Sequence, residues 1–151
     1  MKMPVRVVGV GSPNGDDAVA WEVIRAARAL NWDAVELHTV EGGQRLLDLL
    51  DGCGTLILID ALECAGTAGT LQRFEWPDPR LAVLRPGSTH DMRPTEALEL
   101  AAVLGLLPPR VVIWAIEGER FDPGTGLSPT VAAVVPELMR RLAAELRADD
   151  A

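Results

Sequence analysis

The segment Val5-Arg6-Val7-Val8-Gly9-Val10-Gly11-Ser12-Pro13-Asn14-Gly15-Asp16-Asp17 decides how this chain folds. Its first half is a β-branched run and its second half a glycine-broken turn. Beyond it, Val19, Val23, Ile24, Ala27 and Leu30 recur at helical spacing, which predicts a helix over 17–30 with Trp21 close to its apolar face. A strand that ends in glycines and opens a helix delivers the next side chains to the carboxyl edge of a sheet, where open α/β folds bind ligands. Asp16 and Asp17 are therefore predicted to face a cleft.

The same alternation continues outward. Residues 34–40 alternate like a second strand, 44–50 form a short helix, and 55–59 make a continuous apolar strand suited to the centre of a sheet. After Asp60 comes a Gly/Thr-rich loop, then an extended strand over 71–76 that Pro77 and Pro79 stop. The stretch from Pro77 to Gly87 is expected to be mobile or to face a partner. A helix over 95–104 tolerates Pro94 in its first turn, 111–116 reads as another buried strand, and 131–146 as a closing helix. Strands alternating with helices predict a single α/β domain over 1–151. Its expected form is three-layer α/β/α with a twisted, mainly parallel sheet of about five strands.

Composition narrows the function. The chain has 151 residues, and a domain of that size buries about 70% of its unfolded surface, enough for a core without covalent staples. Fourteen basic against 22 acidic side chains leave a net charge of −8 with no Lys/Arg cluster, which argues against nucleic acid or an anionic membrane as partner. No stretch is apolar over membrane-spanning length and no signal-peptide pattern precedes the first strand, so the cytoplasm is the expected compartment. Cys53 and Cys64 lack Cys-x-x-Cys spacing and read as buried thiols.

Besides the paired aspartates, two polar groups occupy comparable positions: Asp60 at the end of the central apolar run, and His90 just after Ser88-Thr89. Carboxylates and an imidazole from separate elements are a plausible set for a first-row divalent ion, although each aspartate could also serve as a helix cap or a local backbone acceptor. His38 lies in a strand-like alternation and reads as a surface or packing residue rather than a fourth ligand. Gly118-Glu119-Arg120 reads as solvated loop. A serine hydrolase is disfavoured because there is no Gly-x-Ser-x-Gly elbow and Ser88 is only two residues from His90. A dinucleotide fold is disfavoured because Gly9-x-Gly11 lacks the third glycine and the two aspartates would repel a pyrophosphate.

Taken together, Gly9 to Val19, Glu41-Gly42-Gly43, Ile59-Asp60-Ala61, Ser88-Thr89-His90 and Gly126-Leu127-Ser128-Pro129-Thr130-Val131 resemble, in order and approximate spacing, the nickel–iron hydrogenase maturation endopeptidases. The first loop is one residue shorter than usual in that family, and Gln44 stands where threonine is common. The resemblance implies an aspartic-type endopeptidase that removes a carboxy-terminal extension from the hydrogenase large-subunit precursor after nickel insertion. It implies nickel recognition by Asp17, Asp60 and His90, with the ion carried by the substrate rather than held as a resident cofactor. Asp17 or Asp16 would be the general base, and Glu41, Gly42 and Gly43 would contact the substrate. A nickel-sensing escort that binds the precursor without cutting it is the alternative, since it needs the same contacts. A ligating imidazole must be neutral, so with an ordinary pKa of about 6.5 for His90 cleavage is expected to decline below that pH.

Overall fold

The computed structural model describes residues 3–63, 66–83 and 92–150. Five strands, β1 (Val5–Val10), β2 (Val35–Val40), β3 (Thr55–Glu63), β4 (Leu71–Glu75) and β5 (Arg110–Gly118), form one sheet in the order β2-β1-β3-β5-β4. All neighbours are parallel except β4, which runs antiparallel to β5 at the edge. The helices are α1 (Val19–Arg28), the single-turn α2 (Gly43–Leu46), α3 (Pro94–Leu104) and α4 (Pro129–Asp150).

Strand alternation sorts the core into two layers, one on each face of the sheet. Val7, Ile57, Ile59, Val112, Trp114 and Ile116 pack against Val19, Val23 and Ile24 of α1 and Leu138 and Leu142 of α4. Val8, Val10, Leu56, Leu58, Leu62 and Ile113 point the other way, onto Leu46 of α2 and Ala97, Leu98 and Ala101 of α3. The chain is thus the expected three-layer α/β/α arrangement, and the continuous burial of β3 and β5 follows from cover on both faces. Gly9 allows the close approach of α1, because a Cβ there would lie 2.8 Å from the Ala20 carbonyl oxygen.

Several boundaries differ from those predicted, each for a physical reason. The predicted helix over 17–30 begins as a 3-10 turn, Gly15–Ala18, and α1 stops at Arg28, leaving Leu30 exposed. β3 does not end before Asp60 but runs to Glu63, because its ladder with β5 continues to the Glu63–Gly118 pair. The proline-rich stretch is not wholly a mobile segment: Pro79–Val83 forms a 3-10 turn and inserts Leu81 into the core, while 84–87 lie outside the described residues. α4 begins two residues earlier than predicted and runs to Asp150.

Candidate active site

In an open sheet ordered 2-1-3-5-4, the connections from β1 and β3 leave in opposite directions, and the crevice between their carboxyl ends is the topological switch point. Both sequence motifs with aspartates fall there. Val10, the last residue of β1, is in register with Asp60 of β3, and the 3-10 turn that carries Asp16 and Asp17 packs against β3.

The turn after β1 is tightly determined. The Gly11 amide donates to the Val40 carbonyl at 3.0 Å, continuing the pairing with β2, and the Ser12 amide donates to the Asp17 carbonyl at 3.2 Å. A Cβ on Gly11 would sit 2.1 Å from that same carbonyl oxygen, so only glycine lets the chain fold back here. Gly15 has φ of +55°, and a side chain on it would strike the Arg120 carbonyl oxygen at 2.2 Å.

The two aspartates have different surroundings. Asp16 has no solvent exposure. Its Oδ1 accepts from the Ser128 amide at 2.7 Å. Its Oδ2 accepts from the Ser128 hydroxyl at 2.9 Å and from the amides of Glu119 and Arg120 at 2.9 and 3.0 Å. Burial by itself would raise the pKa of this carboxyl; the bonds from Glu119, Ser128 and Arg120 outweigh it and hold Asp16 below the usual carboxylate value. Asp17, one residue on, is only partly buried.

Ser128 explains the late Gly-Leu-Ser-Pro-Thr-Val stretch. It occupies the N-cap position of α4: its carbonyl accepts from the Ala132 amide at 2.9 Å, its Oγ from the Val131 amide at 3.4 Å, and Pro129 fills the first helical position. The positive end of a long helix thereby faces the buried Asp16 carboxylate. The reading of 118–120 as unremarkable solvated loop is corrected. Gly118 is buried, a Cβ on it would lie 2.9 Å from the Asp16 Cβ, and the next two amides bind that carboxylate. Such a role leaves no side-chain signature, since backbone N–H groups carry it. The one sequence signal was the pairing of two aspartates after a glycine turn, of which the fold can bury only one with full hydrogen bonding.

Asp60 is 7% exposed and projects from β3 on the same face as Leu58 and Leu62. There it lines a cavity of about 40 Å³ together with Ile113, Ala115, Arg93 and Thr95. Arg93 precedes α3 and closes its first turn through a bond from its guanidinium to Glu96 Oε1 at 2.9 Å, with its own amide donating to the same oxygen at 3.1 Å. His90 lies outside the described residues, as do Ser88 and Cys64. Met92 and Arg93, the first described residues after His90, meet the Glu41-Gly42-Gly43 turn. The Gly43 amide donates to the Met92 carbonyl at 2.8 Å, and a Cβ on Gly43 would lie 2.5 Å from the Arg93 carbonyl oxygen. Glu41 itself is exposed. Among the described residues, no three His, Cys, Asp or Glu side chains are grouped to hold a metal ion. His38 is a half-exposed neighbour of Glu36 on β2, and Cys53 is buried, which raises its pKa.

This is a three-layer α/β fold in which the elements flanking the switch point of the sheet carry Asp16, Asp17 and Asp60. The profile of the hydrogenase maturation protease family matches residues 26–145, and the chain belongs to that family of proteases. Among solved structures it is similar to the hydrogenase maturating endopeptidase HybD from Escherichia coli, with a TM-score of 0.82 at 24% identity over 97% of this chain and 94% of that one. An endopeptidase from Escherichia coli solved in solution gives a TM-score of 0.82 at 26% identity, with the same coverage of both chains. The [NiFe] hydrogenase maturation protease HycI from Thermococcus kodakarensis shares the fold at a TM-score of 0.70 and 17% identity, over 97% of this chain and 94% of its own. No curated protein matches the chain significantly. No helix among the described residues is long and apolar enough to cross a membrane.

Proposed function

We propose that this protein is the cytoplasmic endopeptidase that trims the carboxy-terminal extension from a nickel–iron hydrogenase large-subunit precursor once nickel has been inserted. The observation that supports the proposal is that, in a member of the hydrogenase maturation protease family, the turn carrying Asp17 packs against β3, whose Asp60 is in register with the last residue of β1. In this reading nickel arrives on the substrate, and Asp17, Asp60 and His90 complete its coordination. Two carboxylates and an imidazole without a thiolate form a modest nickel site by themselves, which suits recognition of an ion already held elsewhere better than its permanent capture.

The general base of this reading is Asp17 and not Asp16. Four donors already occupy the Asp16 oxygens, and a carboxylate so engaged cannot accept a proton from water without giving up those bonds. Asp17 would either orient the attacking water or complete the metal contact, which makes the protease aspartic-type in the sense that an aspartate is essential. Glu41, Gly42 and Gly43 are the proposed contacts with the extended substrate chain; Glu41 is exposed and Gly42 partly so, while Gly43 is buried against residues 92 and 93 and would act through the shape of the turn.

The test is the intact mass of a large-subunit precursor incubated with the protein, with and without prior nickel loading. Loss of a carboxy-terminal peptide only from the loaded precursor is the expected result. Stable binding without mass loss would instead make the protein an escort, and cutting regardless of nickel would remove the ion from its recognition step.

A further inference from the structure

The two aspartates at 16 and 17 are adjacent in sequence, yet one is fully buried and the other only partly. Two backbone bonds join this turn to the loop after β5: Gly15 amide to Thr125 carbonyl at 3.0 Å and Asp16 amide to Arg120 carbonyl at 2.5 Å. The four bonds into the Asp16 carboxylate come from the same loop and from the cap of α4. Arg120 in turn holds the loop closed on itself, its guanidinium donating to the Gly126 and Leu127 carbonyls at 3.1 and 3.0 Å. Local bonds fix Asp17 in the same turn, its amide on the Asn14 carbonyl at 3.1 Å and its own carbonyl receiving the Ser12 amide.

We infer that Asp16 and Ser128 form a buried clasp that positions Asp17 for cleavage, so that the start of α4, remote in sequence, sets the geometry of the reacting carboxylate. The Ser128 hydroxyl is the hinge pin of the clasp: it accepts from the Val131 amide and donates to Asp16 Oδ2. Asp16 and Ser128 are positioning residues that touch neither substrate nor metal. An uncompensated shift of the 3-10 turn by a fraction of its width would carry Asp17 out of reach, and misplacement on the ångström scale costs about a hundredfold in rate.

This inference rests on the assignment of Asp17 to the cleavage site, and the test separates the two. The variants D16N, S128A and D17N, and the pairs D16N/D17N and S128A/D17N, are compared on the nickel-loaded precursor, reading both cleavage rate and the dissociation constant of the enzyme–precursor complex. D16N keeps the shape of the side chain but turns an amide donor toward groups that are themselves donors; S128A removes one bond only and keeps the test alive if D16N fails to fold. The expected result is a loss of cleavage of about a hundredfold for D16N and about tenfold for S128A. Each should also weaken precursor binding in the wild-type background and have no further effect in the D17N background, the signature of residues that act through one another. Equal losses of affinity in both backgrounds would reduce the clasp to general scaffolding and overturn the inference. D17N cutting as fast as wild type would overturn the Asp17 assignment itself, and the positioning role with it.

Discussion

The two ends of the sheet each bury a carboxylate and stabilise it by opposite means. At the amino end, Glu145 of α4 is 8% exposed and takes Arg73 at 2.7 Å and Arg110 at 3.1 Å, while Asp149 receives Arg110 at 3.0 Å and the Thr55 hydroxyl at 2.8 Å. At the carboxyl end, Asp16 is met only by backbone amides and one hydroxyl. Burial pushes the pKa of both groups up, and in both the partners more than offset it: Arg73 and Arg110 for Glu145, neutral dipoles for Asp16. Cations on flexible stems tolerate small displacements and answer to salt. A cradle of amides works at one geometry only. The arrangement at the amino end is suited to holding α4 onto the sheet, and that at the carboxyl end to fixing a turn at the edge of the switch-point crevice.

This contrast can be broken in a graded way. The largest effect is expected from D17N and D60N, each of which should lower nickel-dependent precursor cleavage by about a hundredfold or more. Next comes D16N, which leaves two buried amides facing a donor; a loss of about 2–4 kcal/mol in urea unfolding is expected, together with the loss of cleavage. E145Q should cost less, about 1–2 kcal/mol, because its arginines stay partly solvated, and cleavage should be unchanged. Molar salt should shrink the E145Q deficit and leave that of D16N in place.

Acid sharpens the same comparison. Both carboxyls have folded-state pKa values lowered from the unfolded ones, so each contributes stability that is complete above the unfolded value and drains away as pH falls through the folded value. Urea midpoints of wild type, D16N and E145Q should accordingly converge below about pH 4, and a gap that stayed constant through that range would remove both groups from the acid limb. The smallest effect is expected at the exposed pairs of α4. Replacing Glu137, which pairs with Arg140 and Arg141 on the helix surface, by Gln should leave the urea midpoint within experimental scatter, because exposed pairs are screened by solvent.

Most of the fold was legible in the sequence because the two periodicities are clean: β1, β2 and β5 and the bodies of α1, α3 and α4 follow directly from where apolar residues recur. The missed boundaries have a common cause. Asp60 looked like the end of a strand because a charge breaks the apolar run, but the ladder with β5 carries the strand three residues past it, beyond the last pair with β1; tertiary pairing overrode local composition. Leu81 was lost in a proline-rich stretch because a single core residue has no period. At the candidate site, the position of the aspartates at the carboxyl edge of the sheet was legible, and the difference in burial between Asp16 and Asp17 was not. Which aspartate is buried depends on Glu119, Arg120 and Ser128, more than a hundred residues away, and two of those three contribute only amides that any residue but proline would supply.

The double duty of Ser128 has a kinetic side. Because one hydroxyl both caps α4 and grips Asp16, the first turn of the helix cannot open while the turn at the crevice stays closed. The amide hydrogens of Glu119, Arg120, Ser128 and Val131 belong to a single opening unit and should exchange with solvent at one common free energy, distinct from that of the ladder between β3 and β5. A disturbance of the turn that carries Asp16 is thereby felt in the first turn of the last helix.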